Sequence, residues 1–149
     1  MTTIHTIGHS RHPIDAFVSL LRRHGIATLV DVRSKPASRW APQFGKARLE
    51  RSLAGAGIAY VFMGDALGGM PDDPDLRDPE GNVDHGKLAS SPRFEAGIDR
   101  LIGIAAQSAT AIMCAEEDPD NCHRKMLIAP ALGRKNVAVV HIRGDGSVR

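Results

Sequence analysis

The chain has 149 residues, 42% of them hydrophobic, and a formal net charge of +2, which fits one globular domain with a sizeable core. No apolar run is long enough to cross a bilayer, and the first residues lack the charged start and long apolar stretch of a signal peptide. The two cysteines are too few for a disulfide scaffold, so a cytoplasmic location is expected.

The first half of the chain predicts three strands separated by two helices. A β-rich run at residues 4–7 precedes a helical pattern that starts at Pro13, where apolar residues recur at i, i+3, i+4 and i+7. A second strand is predicted over 28–32, a second helix over 46–54 and a third strand over 58–62.

A long segment without hydrophobic periodicity, residues 63–90, follows the third strand. It is rich in Gly, Pro and Asp, and a loop of this length inside a domain is usually functional or mobile. Ser91 and Pro92 then form a good N-cap and first-position pair for a third helix. Residues 109–113 predict the fourth strand.

The end of the chain predicts one more helix and one more strand. The helix is expected to open at Pro119 and to be interrupted by Pro130, because proline cannot sit inside a helix without a kink or an end. A last strand at 137–142 precedes a tail, 144–149, that is expected to be flexible. Strands alternating with helices predict a single Rossmann-like, three-layer α/β domain over 1–149, with a mostly parallel sheet of about five strands.

The first turn that carries chemistry is Gly8-His-Ser10, between a strand and a helix. Backbone N–H groups at such a turn, together with the helix dipole, attract anions. Ser10 is therefore a candidate anion ligand, and His9 a candidate acid, base or ligand. The competing interpretation is a capping serine and a histidine bonded to the backbone.

The second turn follows Asp31-Val-Arg33. Strand alternation points Asp31 and Arg33 to the same face, where the arginine either binds phosphate or carboxylate as a fork or forms a structural ion pair. The residues that follow combine positive charge, an amide and aromatic faces, a mixture that can hold a phosphate and a stacked base or can simply cover the end of the sheet. They are Arg39, Trp40, Gln43 and Phe44.

The third turn, residues 113–124, holds both cysteines. Cys114 is placed at a strand end and Cys122 in a first helical turn, where the dipole lowers a thiol pKa. Three interpretations stay open: a nucleophilic thiolate with a histidine as proton shuttle, a metal or redox site, and buried inert cysteines. Other candidate residues in this turn are Glu116 as a base and His123 as a catalytic group. Arg124 is a candidate either to bind an anion or to hold the loop in place. If the first and fourth strands are adjacent, this turn lies beside His9.

Short motifs are spread in order over nearly the whole chain. They are Thr6-Ile-Gly-His-Ser10, Leu29-Val-Asp-Val-Arg33 with Pro36, Ser38-Arg39 with Pro42-Gln-Phe44, Leu67-Gly-Gly69, and Cys114-Ala-Glu116 with Asp118-Pro119 and Cys122-His-Arg124. Together they resemble the bacterial and archaeal family called domain of unknown function 488. The resemblance implies an α/β Rossmann-like domain and carries no settled activity. Pro130 and the acidic loop at 72–87 depart from the family pattern.

These turns predict a cleft at the strand carboxyl ends that binds, or acts on, a phosphate-bearing ligand such as a nucleotide or a nucleic-acid end. Cys114, Cys122, His9, Glu116 and His123 are the candidate catalytic residues. The candidate anion ligands are Ser10, Arg33, Arg39, Gln43 and Arg124. The alternatives are a nucleic-acid-binding module without catalysis and a metal or thiol-redox site at the cysteines. The residues leave the cofactor, the oligomeric state and the question of whether the chain is an enzyme open.

Overall fold

The computed structural model of the chain describes residues 2–37, 39–69, 73–116 and 127–148. In these ranges five strands form one sheet in the order β3-β2-β4-β1-β5, and all four pairings are parallel. The strands are β1 (Thr3–Gly8), β2 (Thr28–Asp31), β3 (Ala59–Phe62), β4 (Thr110–Cys114) and β5 (Ala138–Ile142). The predicted α/β domain with about five strands is confirmed.

Six α-helices are described. They are α1 (Ile14–Arg23), α2 (Lys46–Gly55), α3 (Gly64–Leu67), α4 (His85–Ala89), α5 (Pro92–Gln107) and α6 (Ala129–Gly133). The core divides into two clusters, because a parallel sheet buries both of its faces. Residues of α1 and α2 pack on one face of the sheet, and residues of α3, α4, α5 and α6 pack on the other. The result is the expected three-layer architecture.

The first and fourth strands are adjacent, with Gly8 paired to Cys114, so the condition for placing their turns side by side is met. The structure adds that β4 lies between β1 and β2. All five residues of β4 are buried, as a central strand requires. The carboxyl ends of β1, β4 and β2 therefore stand side by side at one edge of the sheet.

The segment between β3 and α5 contains more regular structure than its sequence suggests. The described part holds α3, a 3-10 turn at Pro74–Leu76 and α4. Each of these elements has at most five residues, which is too short to show a helical period in the sequence. Asp73 and Asp84 cap the second and third of them through their side chains.

Two prolines lie near the starts of helices. Pro13 is the N-cap residue of α1, which starts one position later than predicted, at Ile14. Pro130 is the second residue of α6, and Leu127 and Ile128 directly before α6 already have a helical, π-type backbone, so the predicted interruption of a longer helix at Pro130 stays a prediction. The predicted helix start at Asp118 and Pro119 lies outside the described residues.

The C-terminal residues fold back on the sheet. Arg143 N donates to Ser147 O at 2.8 Å, and Val148 forms a bridge with Ile142. The flexibility predicted for 144–149 stays a prediction. Within the described ranges, no helix has the length and apolar character that a bilayer crossing requires.

Candidate functional site

The backbone joins the three predicted turns at one edge of the sheet. Beyond the strands, His9 N donates to Cys114 O at 2.9 Å and Ser10 N donates to Ala115 O at 2.8 Å. On the other side of β4, Val32 N donates to Met113 O at 3.0 Å. The turn after β4 is thus held between the turns after β1 and β2, as the sequence predicts for the first pair.

Asp31 and Arg33 form a buried, two-pronged ion pair. Arg33 Nε donates to Asp31 Oδ1 at 2.9 Å, and Nη2 donates to Oδ2 at 2.8 Å. Asp31 is 0% exposed and Arg33 is 6% exposed. The prediction that both side chains share a face is confirmed. The fork geometry fixes the orientation of the guanidinium group.

Sequence reasoning missed Tyr60, which completes the environment of Asp31. Its hydroxyl donates to Asp31 Oδ2 at 2.7 Å, and Arg33 N donates to Oδ1 at 3.1 Å. With four donors the Asp31 carboxylate has no lone pair left for a base role, so it positions Arg33. Burial, followed by the hydrogen bond to the nearby carboxylate, raises the pKa of Tyr60 above its ordinary value. The available signal was a lone tyrosine in an apolar strand, because a buried hydroxyl needs a partner.

His9 is buried and neutral. Its Nδ1 lies 2.7 Å from Ser10 O, and because a carbonyl only accepts, Nδ1 carries the proton. The Nε2 lone pair faces Arg33 Nη1 at 3.4 Å, so the Arg33 side chain reaches over the end of β4 to His9. The pKa of His9 is lowered to about 4, chiefly by burial; the Ser10 hydrogen bond opposes this shift and the Arg33 charge adds to it.

Two loops, residues 9–12 and 39–44, are held together by three contacts. The His9 and Phe44 rings stack with centroids 4.5 Å apart. Gln43 Nε2 donates to His12 O at 2.9 Å.

The third contact between the loops is at the surface, where the guanidinium carbon of Arg11 lies 5.5 Å from the centroid of the Trp40 ring. Phe44 is 0% exposed and Trp40 is 71% exposed. Of the two aromatic residues expected at the end of the sheet, only Phe44 is therefore part of the core.

Ser10 is not a helix cap, since Pro13 occupies the N-cap position of α1. It has a φ of 44°, a left-handed conformation that costs a non-glycine residue roughly 1–3 kcal/mol. The N–H groups of His9 and Ser10 both bind carbonyl oxygens of the β4 turn. An anion at this turn would therefore have to be bound by side chains rather than by these two amides.

A family model supplies the relationship of the chain to known proteins. The model of the domain of unknown function DUF488 matches residues 13–130, more than half of the chain. The chain belongs to the DUF488 family. No curated protein and no solved structure matches it.

In this DUF488 domain, the motif after β4 lies next to His9. Cys114 is 3% exposed and is disulfide-bonded, so a nucleophilic role would require its reduction first. Glu116 is exposed, and its carbonyl oxygen lies 3.7 Å from Cys114 Sγ. The predicted roles of both residues stay predictions.

Three predicted site residues of the DUF488 motif, Cys122, His123 and Arg124, lie outside the described residues. Among the residues that the structure does describe, no group of three or more His, Cys, Asp or Glu side chains is placed to hold a metal ion. Arg39 is described and exposed.

A cavity of about 560 Å³ lies at the carboxyl ends of β2 and β3. It is bordered by the residues that directly follow Arg33 and by α3 and the start of α5. Two cations, Lys35 and Arg93, and two carboxylates, Asp65 and Asp73, line it. None of the predicted site residues that the structure describes is among its lining residues.

Proposed function

We propose that this DUF488 domain binds a phosphate-bearing ligand, a nucleotide or a nucleic-acid end, at the sheet edge where β1, β4 and β2 end. The observation that supports this most strongly is the buried guanidinium group of Arg33, which Asp31 orients and which faces a neutral His9.

The hydrogen-bond inventory of Arg33 favours an oxyanion. A guanidinium group has five N–H donors. Two of them bind Asp31 and a third faces the His9 lone pair at the long distance of 3.4 Å. The Tyr60 hydroxyl also forms a hydrogen bond with Arg33, so the long contact to His9 is the weakest of these interactions. A phosphate oxygen could replace that contact, because arginine prefers planar, charge-assisted hydrogen bonds to oxyanions.

The surrounding charge favours phosphate over a singly charged anion. Asp31 already neutralises one positive charge at Arg33. Lys35, Arg39 and Lys46 follow in the chain and are exposed, with no acidic residue between Arg33 and Lys46. This local excess of positive charge would compensate the second negative charge of a phosphate.

His9 would serve as the proton carrier of the site. Its neutral Nε2 can accept a proton or a hydrogen bond from the ligand. A bound anion would stabilise the imidazolium form and raise the pKa of His9 from its low value towards neutrality.

The test is thermal stabilisation by inorganic pyrophosphate and by nucleotides. A ligand at one hundred times its Kd stabilises a folded protein by about 2.7 kcal/mol, which corresponds to a Tm increase of roughly 5–10 °C for a chain of this size. Each variant is compared with its own ligand-free Tm, so that a general loss of stability does not enter the result.

Arg33→Lys keeps the charge but loses the fork, and we expect it to lose most of the Tm increase. Arg22→Ala, an exposed arginine in the last turn of α1, is the matched control and should keep the full increase. If none of the phosphate compounds raises the Tm of the wild type, or if Arg33→Lys retains the whole increase, the proposal is wrong.

A further inference from the structure

Trp40 is the most exposed large hydrophobic residue among those that the structure describes, at 71%. An indole ring left in water forgoes the free energy that burial of a large aromatic side chain provides. Its neighbour Phe44, four residues later, shows that the same loop can place a ring in the core. Solitary exposed apolar residues are common on proteins, so a binding role for Trp40 depends on the residues around it.

A cation lies against the Trp40 ring. The Arg11 guanidinium lies 5.5 Å from its centroid, within the range of a cation–π interaction. Gln43 and Phe44 bind the same segment to His12 and His9. The indole is therefore oriented by its neighbours while most of its surface stays accessible.

The same loop connects this surface to the proposed phosphate site. His9 contacts Arg33 through Nε2 and Phe44 through its ring, and Arg11 follows His9 by two residues. The pair of loops thus contacts the buried Arg33 at its inner end and exposes Arg11 and Trp40 at its outer end. Exposed basic residues continue along the chain beyond Trp40; they are Lys46, Arg48 and Arg51 of α2.

We infer that the Arg11–Trp40 pair is a stacking platform for an unpaired base, and that the ligand of the domain is single-stranded nucleic acid. Proteins that bind single strands combine basic tracks for the phosphates with aromatic rings on which bases stack. Inside a duplex both faces of each base pair are already stacked, so only the terminal pairs could offer a face to an indole. The inference rests on the proposed function, in which a phosphate group binds at Arg33. It adds that this phosphate belongs to a single strand and that a base of the strand stacks on Trp40.

Trp40 is the only tryptophan of the chain, so its fluorescence reports directly on the platform. Titration with a single-stranded oligothymidine of about ten nucleotides should quench the tryptophan emission in a saturable manner. Binding should weaken with salt, with a log–log slope of about −2 if Arg11, Arg33 and Arg39 each neutralise one phosphate. Arg39→Ala should make this slope shallower by about 0.7.

Variants are compared by anisotropy of a labelled oligonucleotide, which needs no tryptophan. Loss of one stacked base predicts that Trp40→Ala weakens binding about tenfold or more, while Trp40→Phe loses less. Arg11→Ala should weaken binding as well. The exposed Arg22→Ala is again the control of equal charge and should bind as the wild type does.

Three results would overturn the inference: no binding of the oligonucleotide, equal binding of the matching duplex, or equal binding by Trp40→Ala. Inorganic polyphosphate, which has no bases, tests whether charge alone explains the affinity; it should bind without quenching Trp40. The inference and the proposed function fail separately. Pyrophosphate stabilisation without oligonucleotide binding rejects only the platform, and Trp40-dependent binding that Arg33→Lys leaves unchanged rejects only the phosphate site.

Discussion

His9 is a titratable ring that the fold holds in its neutral form. Its Nδ1 proton is committed to Ser10 O at 2.7 Å and its ring lies against Phe44. A charged imidazolium at this position would face the Arg33 guanidinium at 3.4 Å without the water that solvates it in the unfolded chain. Protonation of His9 and folding of the chain therefore oppose each other.

The pH dependence of stability should show this conflict. Folding lowers the pKa of His9 from 6.5 to about 4, so the unfolded chain binds this proton more tightly than the folded chain. The contribution of His9 to stability is complete above pH 6.5 and is lost as the pH falls from 6.5 to 4, by about 3 kcal/mol at most. Urea unfolding of wild type and His9→Gln at several pH values measures it.

In His9→Gln the decline of the unfolding free energy between pH 6.5 and pH 4 should be shallower by that amount. The exposed His85→Gln variant is the control and should keep the slope of the wild type. Parallel curves for His9→Gln and wild type would show that His9 titrates normally in the folded protein.

At the residue scale, the sequence predicts which side chains belong to the site better than it predicts the residues that they contact. The shared face of Asp31 and Arg33 follows from strand alternation alone. That the carboxylate is fully occupied depends on Tyr60, which comes from β3, about thirty residues away. The stacking of His9 on Phe44 likewise joins loops that no local pattern relates.

At the scale of the elements, α5 is the longest described helix, and it packs on the face of the sheet opposite α1 and α2. It runs from Pro92 to Gln107, with Ser91 as N-cap donating its hydroxyl to Leu88 O and accepting from Phe94 N. Gly97 on its buried side lies against α3, where an added Cβ would come within 2.9 Å of both Ala66 and Leu67. Gly103 in the same helix has nothing within 4 Å of such an atom.

Alanine substitution should therefore have opposite effects at these two glycines. Gly103→Ala should stabilise the protein by up to about 1 kcal/mol, because alanine is the better helix former. Gly97→Ala gains the same helix propensity but should destabilise it overall, since overpacking costs roughly 1–3 kcal/mol. Chemical denaturation of the two variants provides the comparison, and a Gly97→Ala protein more stable than the wild type would contradict the close α3–α5 contact.

The long helices could be predicted because their apolar residues recur with a helical period. The short helices could not be predicted, because they contain too few residues to show such a period. α1 and α5 show their buried residues at helical spacing, as with Phe17, Leu20 and Leu21. α3 and α4 have four and five residues, so capping and tertiary contacts decide them rather than a repeating pattern.

At the scale of the whole molecule, the sheet has a strongly buried centre and weaker borders. Every residue of β4 is buried, whereas the four residues of β3 are exposed or intermediate and only Ile142 of β5 is buried. Strand order was the part of the fold that the sequence left undetermined, including whether β1 and β4 are neighbours. Strand order depends on how the helical connections between the strands pack on the sheet, and not on any property of a single strand.

Amide hydrogen exchange should map this difference. We expect the slowest exchange in β4, close to the free energy of global unfolding, and faster exchange through local opening in β3 and β5. Residues 111–113 are compared with residues 60–62 and 139–141 in the same sample. Protection in either border strand equal to that of β4 would mean that the sheet opens only as a unit.

The central position of β4 has a consequence for the order in which the chain can fold. β1 and β2 are not neighbours, and the strand that joins them begins only at Thr110. During synthesis the two loops that carry His9 and Arg33 emerge long before the strand that holds them together. Pairings between segments so distant in sequence form late and slowly. Under the proposed function, ligand binding would be acquired in the same step that inserts β4, and an N-terminal fragment that ends before this strand should lack it.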